Sequence, residues 1–262
     1  MLERLMPVQA LQVLRLWTRR EIVSRYAGSA GGMLWALLHP LLNIVLFYFV
    51  FAVVLKVRVP ELRLENGYFF YLLAGLLPWL GLSEGLVRAS QSLVAHEQLL
   101  QKVVFPVFVL PVSAILASLV PQLIGMGILM ALLALHSALD WAGLLWLPLL
   151  LLCQLILTAG LGLFLAALSV VFRDLVQLVP VLVQFLFYAT PILYPRSMVP
   201  EKYQHWFLAN PFALLMDGYH AAFLGLPWPG AGRLGLLLWS LALGTLGLLL
   251  FRRLRALLGD WL

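Results

Sequence analysis

The chain has 262 residues, of which 63% are hydrophobic and only 11% are charged. A soluble domain carries about 25% charged residues, so this composition excludes a soluble globule and predicts an integral membrane protein. The formal net charge is +6, but the basic residues stand between apolar runs, which fits membrane topology better than a nucleic-acid partner.

The N-terminal segment, residues 1–33, is basic at first and then rich in small residues. Its arginines interrupt the apolar positions, so we expect no cleavable signal peptide. Arginine avoids the acyl core of a membrane, and this favours an interfacial helix. Arg15 and Arg19 share one helical face, but Arg20 and Arg25 point away from it, which leaves a poor apolar stripe.

Six apolar segments follow, and a helix of about 20 such residues crosses a bilayer. They are residues 34–55, 68–84, 112–135, 144–171, 175–195 and 234–251. A bend is expected at Pro121 in the third, and Gly160 and Gly162 in the fourth allow close helix contact. Glu84 and Arg88, four residues apart, predict a helical ion pair at the membrane rim.

The fifth segment cannot remain a regular helix to its end, because it contains Pro180, Pro191 and Pro195. A polar and aromatic stretch follows it, and the chain turns apolar again at Phe207. We therefore predict short re-entrant helices over about 195–226, between the fifth and sixth spans. Irregular backbone at membrane depth is tolerated only where protein or a water-filled cavity covers it.

The distribution of basic residues predicts the orientation. Six spans place both termini on one side, and with both ends inside, eleven of the seventeen Lys and Arg residues are cytoplasmic: Arg4, Arg15, Arg19, Arg20, Arg25, Arg88, Lys102, Arg173, Arg252, Arg253 and Arg255. The other six lie outside: Lys56, Arg58, Arg63, Arg196, Lys202 and Arg233. The excess inside favours an N-in, C-in topology.

Several short motifs occur in a fixed order along these segments. They are LLAGLLPW at 72–79, KVVFP at 102–106, FRDL at 172–175, TPILYP at 190–195, SMVPEKY at 197–203 and NPF at 210–212. Together they resemble the membrane subunit of ABC-type polysaccharide exporters, the type-2 ABC permeases. The resemblance covers most of the chain, and its strength lies in the order and spacing of the motifs.

The resemblance implies an all-α fold with residues 1–33 as a cytoplasmic interfacial segment and 34–262 as the six-helix permease domain. It implies a multi-pass protein of the bacterial cytoplasmic (inner) membrane. It also implies a homodimer with the pore between protomers, and two copies of an ATPase subunit on the cytoplasmic face. The implied cargo is a lipid-linked glycan of the O-antigen, capsule or teichoic-acid type.

The chain lacks a phosphate-binding loop of its own. A P-loop ends in Gly-Lys, whereas Lys56, Lys102 and Lys202 follow Leu, Gln and Glu. ATP and its Mg²⁺ are therefore expected on a separate subunit, and no cofactor is expected in this chain.

Two enzyme-like patterns are weak. GLSEG at 81–85 matches G-x-S-x-G, but it ends an apolar helix, so its glycines suit helix packing better than catalysis. His96 and Glu97 begin a zinc-protease pattern, but Leu100 stands where the second histidine is needed. Cys153 is a lone cysteine. We expect no catalytic, cofactor-binding or metal-binding residues.

The segment between the second and third spans mixes charged and apolar residues, as partner-binding helices do. By resemblance it is a coupling helix for the ATPase, with these candidates: His96, Glu97, Gln98, Leu100, Lys102 and Phe105. Aromatic rings suit sugar chains, so the pore candidates are Phe47, Tyr48, Phe51, Tyr71, Phe185 and Tyr188, although lipid contact and packing account for most aromatics. The candidates for an outer gate are Tyr194, Tyr203, Trp206 and Phe207.

Two questions stay open at this point. The polar residues inside the spans are either interhelical hydrogen-bonding groups or pore lining: Asn43, Gln122, Gln154, Thr158, Gln177 and Gln184. The alternatives to polysaccharide export are export of drugs or small lipids, and an enzyme acting on lipid-linked sugars. Such an enzyme needs paired ionisable residues near a membrane face, and the sequence offers no convincing pair.

Overall fold

A computed structural model describes residues 7–24, 34–57, 59, 62, 67–102 and 106–261, and every regular element in these ranges is a helix. The prediction of an all-α protein is thereby confirmed. The first five helices are α1 Pro7–Ser24, α2 Leu34–Tyr48, α3 Gly67–Ala95, α4 Glu97–Lys102 and α5 Val109–Leu135. The other five are α6 Leu147–Val171, α7 Leu175–Ala189, α8 Glu201–Gln204, α9 Pro211–Leu224 and α10 Gly230–Trp261. A π-helical turn, Phe49–Val54, extends α2, and a 3₁₀ turn, Gly143–Trp146, precedes α6.

Four described segments are long and apolar enough to cross a membrane. They are Gly67–Ala95, Val109–Leu135, Gly143–Val171 and Gly230–Leu254. These are the second, third, fourth and sixth predicted spans, so these four are confirmed as helices of sufficient length. α5 continues through Pro121 as one helix.

The fifth predicted span is shorter than we expected. α7 has 15 residues and ends at Ala189, whereas the predicted span continues to Pro195. The chain leaves the helix at Thr190, which is extended, because Pro191 follows it and disfavours helical geometry in the preceding residue. The first predicted span consists of α2, 15 residues long, and the π-helical turn that continues it.

Two helices extend beyond the charges that were expected to end them. α3 continues past Glu84 to Ala95, because Arg88 satisfies this carboxylate within the helix, with Nε 2.7 Å from Oε1. α10 continues past Arg252 and Arg253 to Trp261. Charged residues therefore mark the ends of apolar windows here and not the ends of helices.

α3 is the central helix of the fold. It packs against α5, α6, α7 and α9, and most of its residues are buried. Gly85 allows α5 to come close, since a Cβ there would lie 2.8 Å from Ser118 Oγ. The packing role predicted for the glycines at 81–85 is thus confirmed for Gly85.

α6 and α10 approach each other closely at small residues. A Cβ on Gly160 would meet the backbone of Gly244, and a Cβ on Gly247 would meet the backbone of Gly160. A Cβ on Gly162 would lie 2.8 Å from a methyl group of Ile115 on α5. The close contacts predicted at Gly160 and Gly162 are confirmed, and they follow the small-residue rule for helix packing in membranes.

The segment predicted as re-entrant consists of short elements. A 3₁₀ turn at Arg196–Met198, the four-residue α8 and a second 3₁₀ turn at His205–Ala209 lead into α9. Asn210 caps α9, accepting hydrogen bonds from the backbone of Phe212 and Ala213, and Gly225 ends it with a φ of +65°. α9 has 14 residues, most of them buried, so it is too short to cross a membrane.

The N-terminal segment contains one described helix, α1, which packs against α5. Residues 1–6 and 25–33 lie outside the described residues. The interfacial position of this helix stays a prediction.

Candidate translocation groove

A groove of about 810 Å³ runs along the central helix, between α2, α3, α5 and α7. On α3 it extends from Leu76 to Gln91, which is about 22 Å at the rise of an α-helix. Its polar lining residues are Ser83, Glu84, Arg88, Gln91, Ser118, Gln122 and Gln184. Its aromatic lining residues are Trp35, Phe47, Trp79 and Phe187.

The aromatic side of the groove is a packed cluster. The rings of Phe47 and Phe187 lie 5.4 Å apart, and Trp79 lies 5.8 Å from Phe187 and 5.9 Å from Phe212. The cluster joins α2, α3, α7 and α9, so its indole and phenyl groups have fixed positions beside the cavity.

The charged end of the groove is tied to the N-terminal helix. Arg88 bonds Glu84 at 2.7 Å and lies 3.7 Å from Glu21 on α1. One guanidinium therefore faces two carboxylates, which offset its charge. The predicted ion pair of Glu84 and Arg88 is confirmed, and Glu21 adds a contact that the spacing alone did not indicate.

The predicted pore aromatics lie in three different environments. Phe47 lines the groove, whereas Tyr48 contacts Phe69 and Phe51 stacks on Tyr68. Tyr71 is buried, and its ring stacks on His220 at 3.9 Å, while its hydroxyl donates to the carbonyl of Pro191 at 3.1 Å. Phe185 and Tyr188 are exposed on α7, outside the groove lining.

Sequence reasoning missed three aromatic residues of the lining: Trp35, Trp79 and Phe187. On an apolar helix, the residue type does not show which side faces a cavity. For Trp79 the sequence did contain a signal, because this residue lies four positions before the polar Ser83 and therefore shares its helical face.

The polar residues inside the spans form a hydrogen-bonded network. The amide groups of Gln122 on α5 and Gln154 on α6 exchange hydrogen bonds of 2.9 and 2.7 Å. The hydroxyl of Tyr219 on α9 donates to Gln154 Oε1 at 2.6 Å. Gln122 also lines the groove. Gln122 therefore has both of the roles that the sequence left open: it forms an interhelical hydrogen bond, and it lines the groove.

The other polar residues whose role the sequence left open lie in different environments. Gln184 lines the groove, whereas Gln177 is exposed at the start of α7. Thr158 is buried, and its hydroxyl has no hydrogen-bond partner in the part of the chain that the structure describes. The side chain of Asn43 lies outside the described residues.

One gate candidate, Phe207, lies beside a charged pair that sequence reasoning missed. Arg196 Nη1 lies 2.9 Å from Asp217 Oδ2, and the guanidinium lies 5.2 Å from the ring of Phe207. Burial raises the pKa of Asp217 to about 6, against the opposing effect of Arg196. Tyr203 and Trp206 are exposed, with their rings 5.6 Å apart.

Tyr194 immediately precedes the return segment, which is residues 195–226, and links it to α3 and α7. Its hydroxyl donates to the carbonyl of Tyr188 at 3.0 Å, and its own carbonyl accepts from the hydroxyl of Tyr71 at 3.1 Å. The first residue of the proposed gate is thus fixed to α3 and α7.

The coupling candidates lie on and just before α4. Glu97 Oε2 is 3.2 Å from Arg173 Nη2 in the turn between α6 and α7, and the ring of His96 meets Trp17 of α1 edge-on at 5.4 Å. Leu100 packs against a buried cluster that includes Leu93.

The remaining coupling candidates face solvent or are not described. Gln98 and Lys102 are exposed. Phe105 lies outside the described residues. The exposed part of α4 is therefore available to a partner, while Glu97 and Leu100 contact this chain.

Fold and groove together define a multi-pass helical membrane protein with a lined groove on its central helix. The chain belongs to the ABC-2 type transporter family, whose model matches residues 12–224. The sequence motifs had indicated this family, and the prediction is confirmed. The chain is thus a transporter subunit and not a catalytic enzyme.

Several known proteins are similar to this chain. A Myxococcus xanthus protein named O-antigen export system permease protein RfbA is 35% identical over 208 residues, covering 78% of this chain and 77% of the relative. A Klebsiella pneumoniae protein of the same name is 31% identical over 211 residues, covering 79% and 78%. The polysialic acid transport protein KpsM of Escherichia coli is 25% identical over 239 residues, covering 89% and 90%.

Proposed function

We propose that this chain is the membrane subunit of an ATP-driven exporter that moves a lipid-linked polysaccharide across the bacterial cytoplasmic membrane. The observation that carries the proposal is the groove, whose lining combines fixed indole and phenyl rings with amide and hydroxyl groups. Aromatic rings contact the C–H faces of sugars, and amides bond their hydroxyls. The names of the relatives, which refer to O-antigen export and polysialic acid transport, support this cargo.

The proposed topology has six spans with both termini in the cytoplasm. α2 with its π-helical turn is the first span, and α7 with the residues up to Pro195 is the fifth. The positive-inside excess supports this orientation. It places α4 and the Arg173 turn inside the cell, and the return segment, residues 195–226, outside.

The proposed pore forms between two copies of the chain. The groove is open along one side, and exposed apolar residues adjoin it on α7: Leu178, Val181, Leu182, Phe185 and Tyr188. A second copy would cover this face and enclose the pathway. In that arrangement Phe185 and Tyr188 lie close to the pore, as does Phe47, whereas Tyr71 supports the wall from within the protomer.

ATP hydrolysis belongs to a separate subunit in this proposal. Two copies of that subunit bind ATP and Mg²⁺ and contact α4 on the cytoplasmic face. The exposed residues Gln98 and Lys102 form the contact, while Glu97 and Leu100 transmit movement to the Arg173 turn and to the cluster around Leu93. The return segment with Tyr194, Tyr203, Trp206 and Phe207 closes the outer end.

The cargo is tested by deleting the gene and assaying where the polymer accumulates. Without the chain, lipid-linked polymer should remain on the inner side of the membrane, and the wild-type gene should restore surface polymer. Normal surface polymer in the deletion strain would refute the proposal. Unchanged polymer together with retention of a small lipid or drug would favour the alternative exporter class.

The groove is tested by the double substitution Trp79→Ala and Phe187→Ala. It should lower export without reducing insertion, because it removes two of the four aromatic rings that line the cavity. Trp239→Ala is the control, since Trp239 is a partly exposed tryptophan on α10 outside the groove lining. Equal export by both variants would exclude the groove as the pathway.

A further inference from the structure

A second, smaller pocket lies where α6 and α10 begin, and it shares no lining residue with the groove. Its volume is about 190 Å³, and Asp140, Trp146, Trp228 and Arg233 contribute to its wall. Two apolar spans begin beside it, Gly143–Val171 and Gly230–Leu254. The pocket therefore lies at the level where a membrane presents its lipid headgroups.

The cationic group of the pocket is the guanidinium of Arg233, which two aromatic rings hold in place. The guanidinium carbon of Arg233 lies 4.9 Å from the ring centre of Trp146 and 5.6 Å from that of Trp228. Its Nε donates to the carbonyl of Trp228 at 3.1 Å. The terminal amino groups of Arg233 have no bond within the described residues, so they remain available to an anion.

The anionic group of the pocket is the carboxylate of Asp140, which lies in space left by the absence of a side chain at two glycines. Asp140 Oδ1 accepts from the backbone of Ala142 at 3.1 Å. Its Oδ2 would lie 2.8 Å from a Cβ on Gly143 and 3.3 Å from one on Gly225, so larger residues there would displace the carboxylate. Among the described residues, neither Asp140 nor Arg233 has an ion-pair partner.

A further unpaired group lines the same pocket. Trp228 is 6% exposed, and its indole Nε1 is buried without an acceptor among the residues described. A sugar ring would need an open aromatic face. Here the guanidinium lies over both indoles and Trp228 is buried, so the pocket offers opposite charges and not a stacking surface.

We propose that this pocket binds the zwitterionic headgroup of one phospholipid, of the phosphoethanolamine class. The phosphate binds Arg233, which presents a planar set of donors, and the ammonium group binds Asp140. Exposed leucines continue from the pocket along the two spans, Leu145 on the α6 side and Leu234 and Leu238 on α10, and these receive the acyl chains. The site is independent of the groove and of the cargo.

The test is native mass spectrometry of the full-length chain, purified in detergent and titrated with defined lipids. Phosphatidylethanolamine should bind about tenfold more tightly than phosphatidylglycerol, which lacks the ammonium group. Phosphatidylcholine should also bind more weakly, because its methylated ammonium cannot donate to Asp140. Equal binding of the three lipids by the wild-type chain would overturn the proposal without any variant.

Substitutions test which residue binds the phosphate of the headgroup and which binds its ammonium group. Asp140→Asn should remove the preference for phosphatidylethanolamine, because the three lipids differ only in the group that faces Asp140. Arg233→Gln should weaken the binding of all three lipids, because each of them carries the phosphate. Arg252→Gln should change neither, since Arg252 is an exposed arginine at the opposite end of α10. A preference that persists in Asp140→Asn, or unchanged binding of the three lipids in Arg233→Gln, would overturn the assignment. Soluble glycerophosphoethanolamine should compete poorly, and competition as strong as that of the lipid would show a site for a soluble zwitterion instead.

Discussion

Reversing the charge of Glu97 distinguishes two roles for α4: attachment to this chain, and contact with the ATPase. The sequence had suggested that Glu97 orients a partner. In the structure its carboxylate lies 3.2 Å from Arg173 Nη2, and the side chains of Glu97 and Arg173 are 32% and 68% exposed. The pair links α4 to the turn between α6 and α7.

The strength of this link follows from its distance and exposure. At 3.2 Å, two unit charges attract by about 1.3 kcal/mol in water. Side-chain entropy and salt reduce this value, and exposed pairs contribute about 0.2–1 kcal/mol. Glu97→Arg replaces the attraction with repulsion of similar size. We therefore expect α4 to detach more easily while the spans stay folded.

The assay compares export and ATPase copurification across a charge-swap set. Glu97→Arg and Arg173→Glu should each lower polymer export, and the double swap should restore it, because the pair forms again with reversed charges. Gln98→Arg places the same guanidinium group at an exposed position of α4, and it should reduce ATPase copurification without rescue by Arg173→Glu. If the double swap is as defective as Glu97→Arg, then Glu97 contacts the ATPase and the attachment role is wrong.

Three further predictions concern packing, pH and gating. Gly160→Ala should destabilise the protein by about 1–3 kcal/mol by overpacking, whereas Gly127→Ala, where a Cβ meets nothing within 4 Å, should change stability by less than about 1 kcal/mol in thermal unfolding. Burial raises the pKa of Asp217 from 3.8 to about 6, so the folded state favours the protonated acid. Wild-type stability should fall by about 2–3 kcal/mol relative to Asp217→Asn as the pH rises from about 4 through about 6, and parallel pH curves would contradict this. Tyr203→Ala with Trp206→Ala should raise leak or basal ATP turnover, or slow export, and unchanged values of all three would exclude these rings from the gate.

The sequence was sufficient for the elements whose signal is local. Apolar length alone located the four long helices, and the four-residue spacing of Glu84 and Arg88 predicted their bond correctly. Gly160 and Gly162 were recognised because a small residue in an apolar helix has few other uses. Each of these inferences depends on residues within one helix.

The sequence was insufficient where a role depends on which helices meet. Tyr71 and Trp79 are both aromatic residues of α3, but Tyr71 faces His220 on α9 while Trp79 faces the groove. Glu97 and Leu100 looked like partner contacts, because Arg173 and Leu93 become their neighbours only after folding. Exposure cannot be read from a residue type alone when apolar residues cover most of the helix surface.

The polar contacts of α9 limit how an outer gate can move. Tyr219 bonds Gln154 at 2.6 Å, and a ring nitrogen of His220 lies 3.1 Å from the carbonyl of Tyr71, so two adjacent residues fix α9 to α6 and α3. Breaking these buried bonds would leave unpaired polar groups, at about 1–3 kcal/mol each. The short elements between Arg196 and Ala209 have mostly exposed side chains. An outer gate therefore opens at the lowest energetic cost if α9 stays in place and only this shorter stretch moves. Arg196 then anchors the moving stretch to α9.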